Sequence, residues 1–297
     1  MSLSLAIIGR GEWLLNTARY LSLFNSINLV MAYEGDSHYQ LNNEDFRNFA
    51  LETQAHFAYD LFNISEINIL LREKKIDAVI SSNLPLIVPK VSLESVKFGW
   101  LNGHPAPLPK YRGNACPNWA ILNGETEYGI VVHLMDEGLD EGPVLSRYDF
   151  KIDDETYISQ IYDIMNSRYP ELFEEALRKV LKGDPGEPQN PQYAHTCFPR
   201  IESDSQIDWN QDSNSVLRTI RSFSHPFPGA FSYIDDQKYR IFGAKSFLLP
   251  YKISAEPGQL AKFEEKIVVF CKEGAIEILN MNPQLKIKRR HRFSWSN

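Results

Sequence analysis

An apolar run from Leu5 to Gly9 leads into Trp13, Leu14, Leu15, Ala18, Leu21 and Phe24 at helical spacing, which predicts a strand feeding a helix. Asn28 to Tyr33 predicts a second strand and Ile64 to Glu73 a helix. Ile76 to Ser81 predicts another strand, too apolar for a solvated edge. Further strands are predicted at Phe98 to Asn102, Gly129 to Met135 and Pro143 to Asp149. Then Ile158, Ile161, Ile164, Met165, Leu172, Ala176 and Val180 form the stripe of one long helix opened at Asp154, with Asp153 or Asp154 as its N-cap. Strands alternating with helices predict an α/β fold: a Rossmann-like, mostly parallel sheet covered on both faces.

The pattern changes after Gly183 to Pro199, a polar stretch whose prolines and glycines cannot continue a helix. The predicted domains are therefore 1–198, an α/β domain, and 199–297, a β-rich domain. In the second, a short helix near Ser215 to Phe223 precedes strand-like runs at Ala230 to Ile234, Lys238 to Ala244, Gly258 to Phe263, Ile267 to Cys271 and Ala275 to Met281. Asp235-Asp236 and Lys272-Glu273-Gly274 read as turns. So many short strands in under 100 residues suggest a small, OB-like β-barrel.

Composition narrows the classes. The 297 residues are 43% hydrophobic and 23% charged, an ordinary globular mix, with a net charge of -7 at pH 7. A net negative chain lacks the broad basic surface that phosphate contact needs, so nucleic acid is not expected as a partner. The charge divides unevenly: residues 1–199 carry 16 Lys and Arg against 27 Asp and Glu (-11), and residues 200–297 carry 15 against 11 (+4). Lys286, Lys288, Arg289, Arg290 and Arg292 supply much of that +4 and read mainly as a solvated tail or strand face. Apolar runs fall far short of the roughly 18 to 20 residues of a membrane span, and no secretory signal is visible. Three scattered cysteines, Cys116, Cys197 and Cys271, suit a reducing cytoplasm better than a disulfide framework. The seven histidines show no metal-ligand spacing, so no metal is expected. Gly9-Arg10-Gly11 resembles the start of a dinucleotide fingerprint but lacks the third glycine, and reads better as a tight turn from strand to helix.

Chemistry concentrates between Leu101 and Ser146. A strand ending at Asn102 sets that amide, and two residues on the imidazole of His104, at the carboxyl edge of a parallel sheet, where α/β proteins bind ligands. Four prolines from Pro105 to Pro117, Pro107 among them, stiffen the next loop together with Gly113. Lys110, Tyr111, Arg112 and Asn114 offer donors to an anionic or hydroxyl-rich ligand. Asp140 follows a predicted strand in a loop flanked by Gly138 and Gly142, at the same edge if the strands run parallel. His133, on a strand face, reads chiefly as a structural residue.

Asn102-x-His104-Pro105, Leu108-Pro109-x-Tyr111-Arg112-Gly113, Asn118-Trp119, Gly124, Gly129, His133 and Leu139-Asp140-x-Gly142-Pro143 together resemble the 10-formyltetrahydrofolate-dependent formyltransferases. Arg200-Ile201, Ile207-Asp208-Trp209, Ile220-Arg221 and Pro226-Phe227-Pro228-Gly229-Ala230 resemble the start of that family's barrel-like second domain. One departure is His-Pro-Ala-Pro-Leu-Pro where many members have His-x-Ser-Leu-Leu-Pro. The resemblance implies a catalytic triad of Asn102, His104 and Asp140. Asn102 and a protonated His104 would donate to the oxyanion of acyl transfer, and Asp140 would orient the imidazole and pass on the amine's proton. It implies 10-formyltetrahydrofolate as co-substrate, its pterin lying between Leu84, Leu86, Ile87 and Val88 on one side and Asp136, Gly138 and Leu139 on the other. It implies acceptor contacts at Pro107, Lys110, Tyr111, Arg112, Gly113 and Asn114. Leu86 to Val88 can equally be core.

Three acceptor classes exist in the family. The -11 of the first domain argues against methionyl-tRNA, and glycinamide ribonucleotide enzymes resemble the first domain alone. Lys110 to Gly113, Asn118-Trp119 and Leu122-Asn123-Gly124-Glu125-Thr126 resemble the enzymes that formylate the amine of a UDP- or dTDP-linked amino-dideoxy sugar, and a 4-amino-4,6-dideoxy sugar of a surface polysaccharide pathway is the expected acceptor. A formyl-folate hydrolase or a folate-binding regulator is the reading from a different class. The resemblance also suggests a homodimer.

Overall fold

The computed structural model describes residues 2–35, 41–285 and 292–294. Its first half alternates strands and helices, including helices at 43–53 and 116–123 and a strand at 56–59 that the hydrophobic pattern did not predict. In chain order come β1 (Ser4–Gly9), α1 (Glu12–Leu21), β2 (Ser26–Ala32), α2 (Asn43–Thr53), β3 (His56–Tyr59), α3 (Ile64–Glu73), β4 (Ala78–Ser82), α4 (Lys90–Leu93) and β5 (Trp100–His104). There follow β6 (Arg112–Gly113), α5 (Cys116–Asn123), β7 (Glu127–Leu134), β8 (Val144–Lys151), α6 (Ile158–Leu181) and β9 (Thr196–Cys197). Seven strands form one sheet in the order β3-β2-β1-β4-β5-β7-β8. The pairs from β3 through β5 are parallel. Leu5, Ala6, Ile7 and Ile8 are wholly buried, as a central parallel strand with both faces covered requires. On one face Ala6, Ile8, Leu29, Met31 and Val79 pack against Ile67 and Leu71 of α3.

Side-chain caps start two of the helices. Asn42 accepts from Glu44 N at 2.8 Å while Asp45 reaches back to Asn42 N at 2.8 Å, a reciprocal box. Asn63 caps α3 through Ser65 N at 3.0 Å. Gly9 and Gly11 make the tight strand-to-helix turn: a Cβ on Gly9 would lie 2.0 Å from the Ser82 carbonyl oxygen of β4, so only glycine fits.

One direction departs from expectation. β7 pairs antiparallel with β5, matching Asn102 to His133 and His104 to Val131. Its C-terminal end therefore sits beside the start of β5, and strand direction alone does not carry Asp140 to the carboxyl edge. The loop 135–143 does so by folding back, with Met135 N bonded to Trp100 O at 2.8 Å and Leu134 N to Pro143 O at 3.0 Å.

The C-terminal stretch holds α7 (Ser213–Phe223) and β10 (Ala230–Ile234), β11 (Gln237–Ser246), β12 (Leu260–Phe263), β13 (Lys266–Phe270) and β14 (Ala275–Asn282). The strands form an antiparallel sheet in the order β10-β11-β14-β13-β12. Residues 292–294 tie its two edges together: Phe293 N donates to Gly258 O and Ser294 N to Tyr233 O, each at 2.8 Å. That strap curls the sheet toward closure, which shields edges that would otherwise pair with other chains. Phe293 fills the interior, stacked on Trp209 at 5.4 Å between ring centres, among Ile207, Val216, Ile220, Ile241 and Ile276. Of the basic stretch, Lys286 to Arg290 lies outside the described residues, and Arg292 pairs with Glu256 at 3.9 Å.

The described chain separates into two compact units. One comprises Met1–Cys116, Glu127–Phe150 and Tyr162–Phe198; the other comprises Pro117–Thr126, Lys151–Ile161 and Pro199–Asn297. The second unit thus recruits two short segments that precede residue 199 in the chain.

Candidate active site

β5 is buried along its whole length and ends in Asn102, Gly103 and His104. Gly103 faces Phe173 and Tyr169, where a Cβ would come within 3.0 Å of the Phe173 ring, so the polar residues on either side point to the opposite face. Asn102 and His104 are 9% and 3% exposed. Such groups are tolerated in a core only with partners, and they have them.

The His104 Nε2 lies 2.8 Å from the Tyr111 carbonyl oxygen. A carbonyl only accepts, so Nε2 carries the hydrogen and Nδ1 is the basic atom. Nδ1 faces Asp140 Oδ2 at 3.4 Å. The same Oδ2 accepts from Gly113 N at 2.9 Å, and Oδ1 lies 3.5 Å from His133 Nε2. His133 is held in turn: Nδ1 donates to Leu134 O at 2.9 Å, and the Asn102 amide nitrogen sits 3.1 Å from Nε2. The cluster is therefore four residues, with His133 between the amide and the carboxylate.

Burial pushes the His104 imidazole below its ordinary range, against the opposing influences of the Asp140 carboxylate and the Tyr111 carbonyl. Burial alone would raise Asp140, but His104, His133 and the Gly113 N–H more than offset it and hold the carboxyl well below the usual range. At neutral pH the resting site thus pairs a carboxylate with a neutral imidazole. For the resting site this direction runs against the expected protonated His104, because desolvation outweighs the carboxylate beside it.

The predicted acceptor loop has a different character from the one its donors suggest. Tyr111 and Arg112 are buried, and the Arg112 guanidinium is engaged: Nη1 meets Glu141 Oε1 at 2.7 Å, and Nη2 and Nε meet Gln189 Oε1 at 2.9 and 3.2 Å. Gly113 spends its N–H on Asp140 and, at φ +91, approaches so closely that a Cβ would lie 2.5 Å from Cys197 O. Tyr111, Arg112 and Gly113 therefore build the site. Lys110 and Asn114 are exposed, and Pro107 is half-buried. On the predicted pterin side, Val88 belongs to the core, Leu84, Leu86 and Met135 pack partly buried against it, and Ile87 is 84% exposed. Asp136 is exposed and accepts from Gly138 N at 3.0 Å, and Leu139 is exposed.

Two residues at the site, His133 of the cluster and Cys116 beside it, were given no site role by the sequence reading. His133 carries its signal in the register, directly across from Asn102, which becomes visible only when β5 and β7 are paired. Cys116 is wholly buried, donates to Tyr111 O at 2.9 Å and lies 3.8 Å from His104 Nε2. A thiol–thiol hydrogen bond with Cys197, and then burial, push the Cys116 thiol far up, while the same hydrogen bond pulls Cys197 down. Among the described residues no three His, Cys, Asp or Glu side chains assemble to hold a metal, and no helix is long and apolar enough to cross a membrane.

A mostly parallel sheet with an amide, two imidazoles and a carboxylate gathered around the end of β5 defines an α/β protein with a candidate active site. The chain belongs to the formyl transferase family: residues 40–177 match the formyl transferase model and residues 201–291 the model of its C-terminal domain. Among relatives, the bifunctional polymyxin resistance protein ArnA of Wigglesworthia glossinidia brevipalpis is 32% identical over 71% of this chain and 32% of its own length. A methionyl-tRNA formyltransferase of Citrifermentans bemidjiense is 32% identical over 69% of this chain and 63% of its own. The chain thus spans a third to under two thirds of these relatives. The structure of WlaRD, a sugar 3N-formyl transferase with dTDP and 5-N-formyl-THF, shares the fold at TM-score 0.67 and 18% identity over 96% of this chain and 100% of that one. An N-formyltransferase from Helicobacter canadensis, in complex with folinic acid and dTDP-3-aminofucose, does so at 0.65 and 20%, over 94% and 99%.

Proposed function

We propose that this protein transfers the formyl group of 10-formyltetrahydrofolate to the amine of a UDP- or dTDP-linked amino-dideoxy sugar, with Asn102, His104 and Asp140 as the catalytic residues. The observation that carries the reading is a buried imidazole whose Nδ1 faces a carboxylate at 3.4 Å. Formyl transfer needs a base for the attacking amine and a donor for the oxyanion formed on addition. His104 Nδ1 takes the amine proton, and the imidazolium so formed is stabilised by Asp140 beside it. With one N–H of Asn102 directed at His133, its second is the donor for the oxyanion. As the carbon–nitrogen bond to the folate breaks, the proton passes from His104 to the leaving nitrogen and the site returns to rest. Folate supplies the formyl carbon. The partly buried Leu84, Leu86 and Met135, with exposed Ile87, give the apolar border that a flat pterin requires.

The sugar-nucleotide acceptor is supported by the acidic first 199 residues, net -11, and by the likeness of fold to two enzymes crystallised with dTDP or a dTDP-sugar. A second reading, methionyl-tRNA as acceptor, is favoured by the names of the sequence relatives. The free cysteines fit work in the reducing cytoplasm. The test is to incubate the protein with 10-formyltetrahydrofolate and a panel of 3-amino and 4-amino UDP- and dTDP-sugars, methionyl-tRNA and a no-acceptor control, and to follow product mass. Formylation of one sugar, lost in His104→Ala, supports the proposal. Formyl-methionyl-tRNA alone, or formate released equally without acceptor, overturns the acceptor and assigns the second reading or a hydrolase.

A further inference from the structure

Gln189 lies in the proline-rich stretch that composition marks as a connector. In the structure that stretch is a strap. Glu187 exchanges two backbone hydrogen bonds with Val144, both 2.8 Å, and further on Arg112 N donates to His195 O at 2.9 Å and Asn114 N to Cys197 O at 3.1 Å. Half-buried Gln189 sits between these anchors. Its Nε2 donates to the carbonyls of Asp140 at 2.8 Å and Gly142 at 2.7 Å, and its Oε1 accepts from Arg112 Nη2 at 2.9 Å and Nε at 3.2 Å. A carboxamide has two N–H hydrogens and two lone pairs on oxygen, so this amide is saturated. Exchanging its nitrogen and oxygen would set oxygen against two carbonyls and N–H groups against a guanidinium. The orientation is forced.

We infer that Gln189 is the positioning residue of the Asp140 carboxylate, its amide bridging the main chain of Asp140 to the Arg112 guanidinium. The contacts close a ring. Gln189 holds the Asp140 carbonyl, the Asp140 carboxylate takes the N–H of Gly113, Gly113 follows Arg112, and Arg112 returns to Gln189. Asp140 needs this support because its φ of +52 lies in the left-handed region that a side chain disfavours. Arg112 also grips Glu141, the next residue, so the guanidinium and the amide hold the loop from two sides. Released from Gln189, the loop relaxes and the carboxylate moves off His104 Nδ1. A shift near 1 Å in a reacting group can cost about 100-fold in rate.

The inference rests on the catalytic reading of His104 and Asp140, so its test begins with a measurement that needs no substrate. Gln189→Leu removes all four hydrogen bonds; Gln189→Glu keeps acceptors for Arg112 but sets a carboxylate against two carbonyls. The His104 imidazole is titrated by NMR in the full chain, alongside the thermal midpoint. Asp140 raises the His104 pKa, so Gln189→Leu is expected to titrate at lower pH than wild type; in Gln189→Glu the added carboxylate acts the opposite way on the imidazole, so its readout is kcat. In formyl transfer, kcat is expected to fall about 10- to 100-fold, with the KM for folate within about twofold because Gln189 only acts through Asp140. If Gln189→Leu does not fold, Gln189→Glu decides the question. An unchanged His104 titration beside a lowered thermal midpoint would make Gln189 merely structural and overturn the inference. Where the wild type transfers no formyl group to any acceptor, the titration still decides whether Gln189 positions Asp140, so the two failures are distinguishable.

Discussion

His104 shows how a single side chain acquires its chemistry from what surrounds it. With Nε2–H fixed on a carbonyl and burial disfavouring charge, Nδ1 stays unprotonated below the ordinary histidine range. Activity that needs the neutral ring is then present above the folded-state pKa and lost as pH falls through it. The acid limb of the kcat profile is therefore expected at a midpoint below about 6.5, the value of an unperturbed histidine. Asp140→Asn removes an influence that raises that pKa, so it should move the limb lower still while reducing kcat. Asn102→Ala, which deletes the oxyanion donor, is expected to lower kcat by about 100- to 1,000-fold and to lower the thermal midpoint, because buried His133 loses its donor; steady-state kinetics beside a melting curve check both. The cysteines differ in the same way. Cys197 is half-buried and made more acidic by Cys116, whereas burial pushes Cys271 up to about 12. Iodoacetamide at neutral pH should label Cys197 first, read by peptide mass mapping. Nothing in local sequence distinguishes these three thiols.

The strands and helices were largely legible, because an apolar stripe reports which face a segment buries. Ile64 to Glu73 is a helix over the very residues predicted, and α7 begins where Asp212 accepts from Asn214 N at 2.9 Å and Ser215 N at 3.0 Å. Asp212→Ala is expected to cost about 1 kcal/mol in urea unfolding, the worth of a typical N-cap. Short pieces were not legible: β6 and β9 have two residues each and exist only because they pair with one another, Gly113 opposite Cys197. Strand direction was missed as well. Periodicity is the same for a strand running either way, so the antiparallel β7 and the fold-back of 135–143 had no local signature. That loop is closely fitted, since a Cβ on Gly142 would lie 1.8 Å from Leu134 O. Gly142→Ala should therefore displace Asp140 and reduce kcat. The strap at 292–294 is similar in kind: Phe293, 2% exposed on Trp209, reads in sequence as part of a basic tail. Its replacement by alanine should destabilise the C-terminal unit by about 3 to 5 kcal/mol, the cost of emptying a core aromatic site, measured by denaturant titration.

Charge, summed over the chain, bears on what the protein meets. A stretch of 199 residues at net -11 repels a polyanion, while a nucleotide sugar with two phosphates needs only a local patch. Little binding to tRNA is expected near physiological salt in a gel-shift titration, and tight, strongly salt-dependent binding would count against the sugar-nucleotide acceptor. Hydrophobic spacing and punctuation pointed to the α/β class and made Asn102, His104 and Asp140 candidates. Those properties are local: burial of one face, a cap or a break in a helix is written within a few residues. The burial of His104 against the Tyr111 carbonyl, the entry of His133 opposite Asn102, the engagement of Arg112 and the hold of Gln189 on the Asp140 loop, 49 residues away in sequence, came only with tertiary structure. Each depends on which segments are brought together and on how much water they exclude, and neither is encoded in the spacing of residues along one segment.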